Sequence, residues 1–169
     1  MAALILDAAL IVERRLLVGP WGGVAWRPFA VLPPGAAAAP WTPLAHEDGA
    51  TTFFAGEIGI ELHSSETGSY RDNLATREPR LWTVLRDCPE PPGVRLMMLT
   101  ADPAEGEAMT EAGTNLVETV AMPAWVEERV RSFVAEHHVE RPFFKRQRDR
   151  SASGQGPAGP PGGGRHDRR

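Results

Sequence analysis

The chain has 169 residues, 42% hydrophobic and 24% charged, with a formal net charge of -4. This is an ordinary globular composition with room for one domain and a tail. No apolar run approaches the roughly 18 residues of a membrane-spanning helix, and the lone Cys88 excludes an internal disulfide framework and a multi-cysteine metal site.

The opening MAALILDAALIVERR does not read as a signal peptide, because Asp7 interrupts it and no basic residue precedes its apolar stretch. With the single cysteine, this predicts a reducing compartment, the cytoplasm. Residues 10–18 are predicted as a strand, followed by a turn at Gly19, Pro20, Gly22 and Gly23. Residues 24–32 form a second strand, at an edge or bulged, because Pro28 cannot donate to a ladder. Residues 33–43, rich in Pro and Ala, read as an extended connector pinned by Trp41.

The strongest strand pattern covers residues 51–63, with Phe54, Gly56, Ile58, Ile60 and Leu62 on one face and Glu57, Glu61 and His63 on the other. The chain then turns polar through ELHSSETGSYRDNL (61–74), including a short helix over 66–77. Strands follow at 81–86 and 94–100, joined by a turn at 89–93. Asp102, Pro103 and Glu105 have the spacing of a helix N-cap, first turn and capping box, and Gly113 suits the stop. A strand at 116–122 leads to a helix over 123–138, whose Val126, Val130, Phe133, Val134 and His137 share a face. Residues 151–169 hold, proline apart, no apolar side chain larger than Ala and are predicted to be disordered, which sets the domain at 1–150.

This order predicts an α+β fold. It is a bent antiparallel sheet or partly closed β-barrel with one inserted helix, capped by the C-terminal amphipathic helix. A pleckstrin-homology-like barrel is the specific version to test.

The segment 61–73 is the predicted recognition surface, contributed by Glu61, His63, Glu66, Tyr70, Arg71 and Asn73. The basic run Lys145, Arg146, Arg148 and Arg150 follows Phe143 and Phe144. Residues 145–169 hold seven basic residues against two acidic, so the remainder of the chain is acidic. That distribution counts against nucleic acid as a partner and favours docking of the basic run on an acidic protein surface. His137 and His138 point about 100° apart on a helix, which suits a C-terminal cap and not a shared metal. Cys88 lies beside Asp87 and near Glu90, surroundings that lower thiol reactivity.

Five segments carry a resemblance. VERRLL (12–17), the spacing of Trp21 to Pro28, ELHSSETGSYRDNL (61–74), WTVLRD (82–87) and HHVERPFFKRQRDR (137–150) occur in this order. Over residues 9–150 the chain resembles a bacterial domain family of unknown function encoded beside molybdenum-dependent formate dehydrogenase genes. The resemblance implies a role in assembly, maturation or regulation of that enzyme, with the matching segments as the working surface. It implies no catalytic residue.

Two readings follow. The first is a non-catalytic accessory protein that docks on a formate dehydrogenase subunit or its assembly or maturation intermediate. It has no metal, no cofactor and no membrane contact. The second is a small enzyme or metal-binding factor that uses Glu57, Glu61, His63 and Glu66. A shallow mixed surface favours the first, and a closed carboxylate–imidazole pocket the second.

Overall fold

In the computed structural model, which describes residues 1–140, the chain opens with a 15-residue strand, β1 (Ala3–Leu17). Its Leu6, Ala8, Leu10 and Val12 are buried on one face, the period-two pattern of a half-buried strand. The strand begins well before the predicted residue 10, because the same alternation already runs through Leu4 and Leu6. β1 pairs on either side with β2 (Gly23–Leu32) and β4 (Ala50–His63), and β3 (Thr42–Glu47) completes an antiparallel sheet ordered β2-β1-β4-β3. A second antiparallel sheet, ordered β6-β5-β7, is built from β5 (Arg80–Asp87), β6 (Val94–Thr100) and β7 (Asn115–Ala121). The helices are α1 (Thr67–Leu74), α2 (Pro103–Ala108) and α3 (Ala124–His137).

The class is α+β, and a helix closes the described chain. The strands form two sheets and no closed barrel, so the pleckstrin-homology-like barrel is not the arrangement adopted. The reason lies in the ladders. β6 is bonded only to β5, and β4 beyond Phe54 is bonded only to β1. Two helices, α1 and α2, are inserted where one was expected.

A bulge in β4 corrects the predicted face assignment, and β2 carries another. In β4 the register slips opposite Leu10 and Ile11, leaving Ala55 as the extra residue. Phe53 and Ala55 face the main core before it, and Ile58, Ile60 and Leu62 face it afterwards. Phe54 therefore joins Ala9 and Ile11 on the opposite side, away from the face expected for it. The adjoining Gly56 has φ 128°, a conformation that suits glycine at such an irregularity. In β2, an edge strand as expected from Pro28, a second slip falls opposite Ile11 and Val12.

β3 replaces part of the predicted connector. It turns into β4 through Asp48 (φ 48°) and Gly49 (φ 75°), the two positive-φ positions of a tight hairpin. Trp41 packs edge-on against Trp26, with ring centroids 5.8 Å apart, and so pins the connector as expected. α2 begins as predicted, with Asp102 accepting a hydrogen bond from the backbone of Ala104 at 2.9 Å. The capping box does not form, because the Glu105 carboxylate instead accepts from the Thr100 hydroxyl at 2.6 Å.

Residues Met1–Val139 form one compact unit. Its main core joins Leu6, Leu10 and Leu62 of one sheet, Leu81, Leu85 and Leu99 of the other, and Val126, Val130 and Phe133 of α3. The proposed boundary at residue 150 and the tail 151–169 lie outside the described residues. Phe133 is 4% exposed, so Phe133→Ala is expected to cost about 3–5 kcal/mol in a denaturant titration. Near-native stability would place α3 outside the core.

Candidate functional site

The polar segment after β4 is only partly a surface. Tyr70 is 1% exposed and packs against Phe133, with ring centroids 6.5 Å apart. Its hydroxyl accepts a hydrogen bond from the backbone N–H of His63 at 3.1 Å. Burial pushes the phenol up to about 12. The nearby charges of Asp102, Glu105 and Glu66 add to that effect, and the bond from His63 opposes it.

Asn73 is 3% exposed and makes three bonds. Its Nδ2 donates to the carbonyls of Arg80 (2.8 Å) and Ala101 (2.9 Å), and its Oδ1 accepts from the Arg80 backbone N–H (3.0 Å). It therefore ties α1 to the start of β5 and to the residue just after β6. Tyr70 and Asn73 hold the fold together and are not available to a partner. Sequence reasoning read their polar atoms as exposed, whereas each finds its partners within the protein.

Glu61, Glu66 and Arg71 are exposed, and His63 is half-buried. Glu61 and His63 lie together, Oε2 to Nε2 3.4 Å. Glu66 stands at the start of α1 and makes no capping bond. Arg71 reaches the end of α3, where its Nη1 lies 2.9 Å from His138 Nε2. A guanidinium only donates, so this His nitrogen accepts, and the ring proton sits on Nδ1 toward Thr67 Oγ1 at 3.0 Å. The backbone N–H of His138 closes α3 on the carbonyl of Val134, while its ring is engaged with Arg71 and Thr67 and not with the last carbonyls of the helix. Lys145, Arg146, Arg148 and Arg150 lie outside the described residues.

The alternative cluster does not converge. Glu57 accepts a hydrogen bond from the backbone N–H of Gly35 at 2.6 Å, so it fastens the connector across the sheet. Among the described residues, no group of three or more His, Cys, Asp and Glu is arranged to hold a metal ion.

One concavity that includes a predicted residue is an open recess of about 380 Å³ between β1 and β4 on one side and β6 on the other. Its rim carries Asp7, Glu61 and Glu105, and its apolar lining includes Ile5, Met97 and Met98. Ile5 is 60% exposed. Gly59 makes the packing possible, since a Cβ there would lie 2.6 Å from Ile5 Cγ2. Only Glu61 of this set was legible as a site residue; Asp7, Met97 and Glu105 are distant from it in the chain. In the motif around Trp21 and Trp26, Trp21 is 93% exposed, while Trp26 packs on Phe53 with ring centroids 5.6 Å apart.

A model of the family described as "Protein of unknown function (DUF3305)" matches residues 7–148. The chain belongs to this family. Comparison with curated proteins and with solved structures gives no match. No described helix is long and apolar enough to cross a membrane.

Tyr70 is the only tyrosine of the chain, so tyrosinate absorbance reports it directly. The folded protein is expected to titrate near 12, above the ordinary value of 10.0. A group raised in this way adds stability in full below the unfolded value and loses it as pH rises through the folded one. Tyr70 thus weakens the fold as pH climbs from 10 toward 12, and a titration midpoint near 10 would contradict its burial. Asn73→Ala, which strands two backbone carbonyls and one N–H, is expected to cost about 2–4 kcal/mol in urea unfolding. A loss below about 0.5 kcal/mol, the usual surface value, would show that the clamp contributes nothing.

Proposed function

We propose that this protein is a non-catalytic accessory factor of the cytoplasm. It docks on a formate dehydrogenase subunit or on an assembly or maturation intermediate of that enzyme. The recess between β4 and β6 carries the docking part of this reading. It is open and lined by both apolar and acidic side chains, a composition suited to recognition of a polypeptide. Of the alternative cluster, Glu57 is engaged with the connector, and the Glu61–His63 pair is joined by no third His, Cys, Asp or Glu arranged to hold a metal ion among the described residues. The choice of formate dehydrogenase rests on the resemblance of five ordered segments to the family encoded beside its genes, which is an associational support.

Glu61, His63, Glu66 and Arg71 are the contact residues of the described surface, joined by Lys145, Arg146, Arg148 and Arg150. Glu66 is exposed and bears no capping bond, so Glu66→Ala is expected to keep the melting temperature and weaken capture of purified formate dehydrogenase subunits. Undiminished capture by Glu66→Ala removes this residue from the contact. No capture by the wild-type protein removes formate dehydrogenase as the partner. Neutralising the four basic residues together is expected to slow association more than it speeds dissociation, and less so as salt rises. An association rate indifferent to both changes assigns the run no part in docking.

A further inference from the structure

Two strand edges meet at the recess without pairing. Among the described residues, β6 has β5 on one side and no strand on the other, and β4 from Glu57 onward has only β1. The two strands approach each other, yet no ladder joins them among the described residues. The recess is lined by four consecutive β6 residues, Met97 to Thr100. In the regular stretch Met98 to Thr100, consecutive side chains point to opposite faces of the strand, so a hollow touched by all three follows the edge of β6 and does not lie over one face.

Of the usual guards that edge has a bulge but no charge and no proline. Leu96 to Thr100 contain neither a charge nor a proline. The irregularity is a register shift that leaves Met97 as the extra residue. At the β4 side, the Tyr70 hydroxyl supplies the partner that a neighbouring strand would have given the His63 N–H. Beyond that cap, the seam offers the unpaired strand edges, the apolar side chains of Ile5, Met97 and Met98, and the carboxylates of Asp7, Glu61 and Glu105, with no basic residue among those that line it.

We propose that the seam between β4 and β6 binds a short extended segment of a partner polypeptide in which basic and apolar side chains alternate. The segment adds to the β6 edge through its backbone. Its apolar side chains lie on Ile5 and the two methionines, whose thioethers adapt to varied shapes. Its Lys or Arg side chains meet the three carboxylates. The inference rests on the docking reading and names the chemistry of its ligand.

The test uses the full chain and fluorescence anisotropy with short labelled peptides. One probe alternates lysine and valine, one glutamate and valine, and one lysine and serine. A fourth repeats the first with N-methylated central residues, which removes backbone donors. Only the lysine–valine peptide is expected to bind well. N-methylation or Glu61→Lys should weaken it about tenfold, the equivalent of about 1.4 kcal/mol, with circular dichroism unchanged. Ile5→Ser should weaken it while the lysine–serine peptide stays weak throughout. Equal binding of the glutamate and lysine peptides overturns the proposal, as does indifference to N-methylation or competition by spermidine at equal charge. If no peptide binds while formate dehydrogenase subunits are still captured, the seam assignment falls and the docking reading stands. If the lysine–valine peptide binds as described but no subunit is captured, the seam stands and the choice of formate dehydrogenase falls.

Discussion

Among the described residues the two sheets of this protein share no hydrogen-bonded ladder, so their union depends on side chains: on the common apolar core and on the polar clamps of α1, of which Asn73 makes the most bonds. One buried amide satisfies the first N–H and C=O of β5 together with the carbonyl of Ala101. The carboxamide is the one neutral side-chain group that offers two donors and a two-lone-pair acceptor. A carboxylate at this place would lose both donors and bury a charge. Tyr70, one turn earlier in α1, performs the complementary task at the end of β4. A short helix thus holds the last residue of one sheet and both neighbouring strands of the other. The cost of leaving any of these buried main-chain groups unpaired makes the arrangement specific.

This mode of joining has a geometric consequence. Side-chain clamps act at points, whereas a ladder runs the length of a strand. Between the clamped positions no ladder holds β4 to β6 among the described residues, and the recess lies along this contact. The candidate site and the seam between the sheets are therefore one feature. Glu105 links them further. It lines the recess, accepts from the buried Thr100 hydroxyl, and contributes to the negative field felt by the Tyr70 phenol.

Periodicity made most strands and α3 legible, and punctuation at Asp102 and Pro103 located α2. β3 escaped because it is polar and exposed and contains Pro43, although Asp48–Gly49 is a recognisable hairpin signal. Phe54 was assigned to the wrong face because a bulge adds one residue and reverses the alternation. The polar segment misled for a different reason. Composition distinguishes polar from apolar but not satisfied from unsatisfied, and the partners of Tyr70 and Asn73 are backbone groups that a single sequence does not place. The spacing of Tyr70 and Leu74, four residues apart on one helical side, was the available hint that this face turns inward. Likewise Asp7, Glu61 and Glu105 become one rim only through strand pairing and the contact of β4 with β6.

An open strand edge without lysine or proline is ordinarily a route to self-association. Here the rim alters that expectation. A second copy of the chain that offered the same seam would bring Asp7, Glu61 and Glu105 against their own counterparts, with no lining base to neutralise them. Like charges facing one another across paired strands are destabilising, and in a partly desolvated seam the repulsion is less screened than at an open surface. The same carboxylates favour a cationic strand. Discrimination between two partners is a difference of free energies, and one set of charges acts on both sides of it by penalising the homotypic pair and favouring the heterotypic one. The acidic rim thus does the guarding that lysine or proline does at other edges, but it leaves the edge open to one class of ligand.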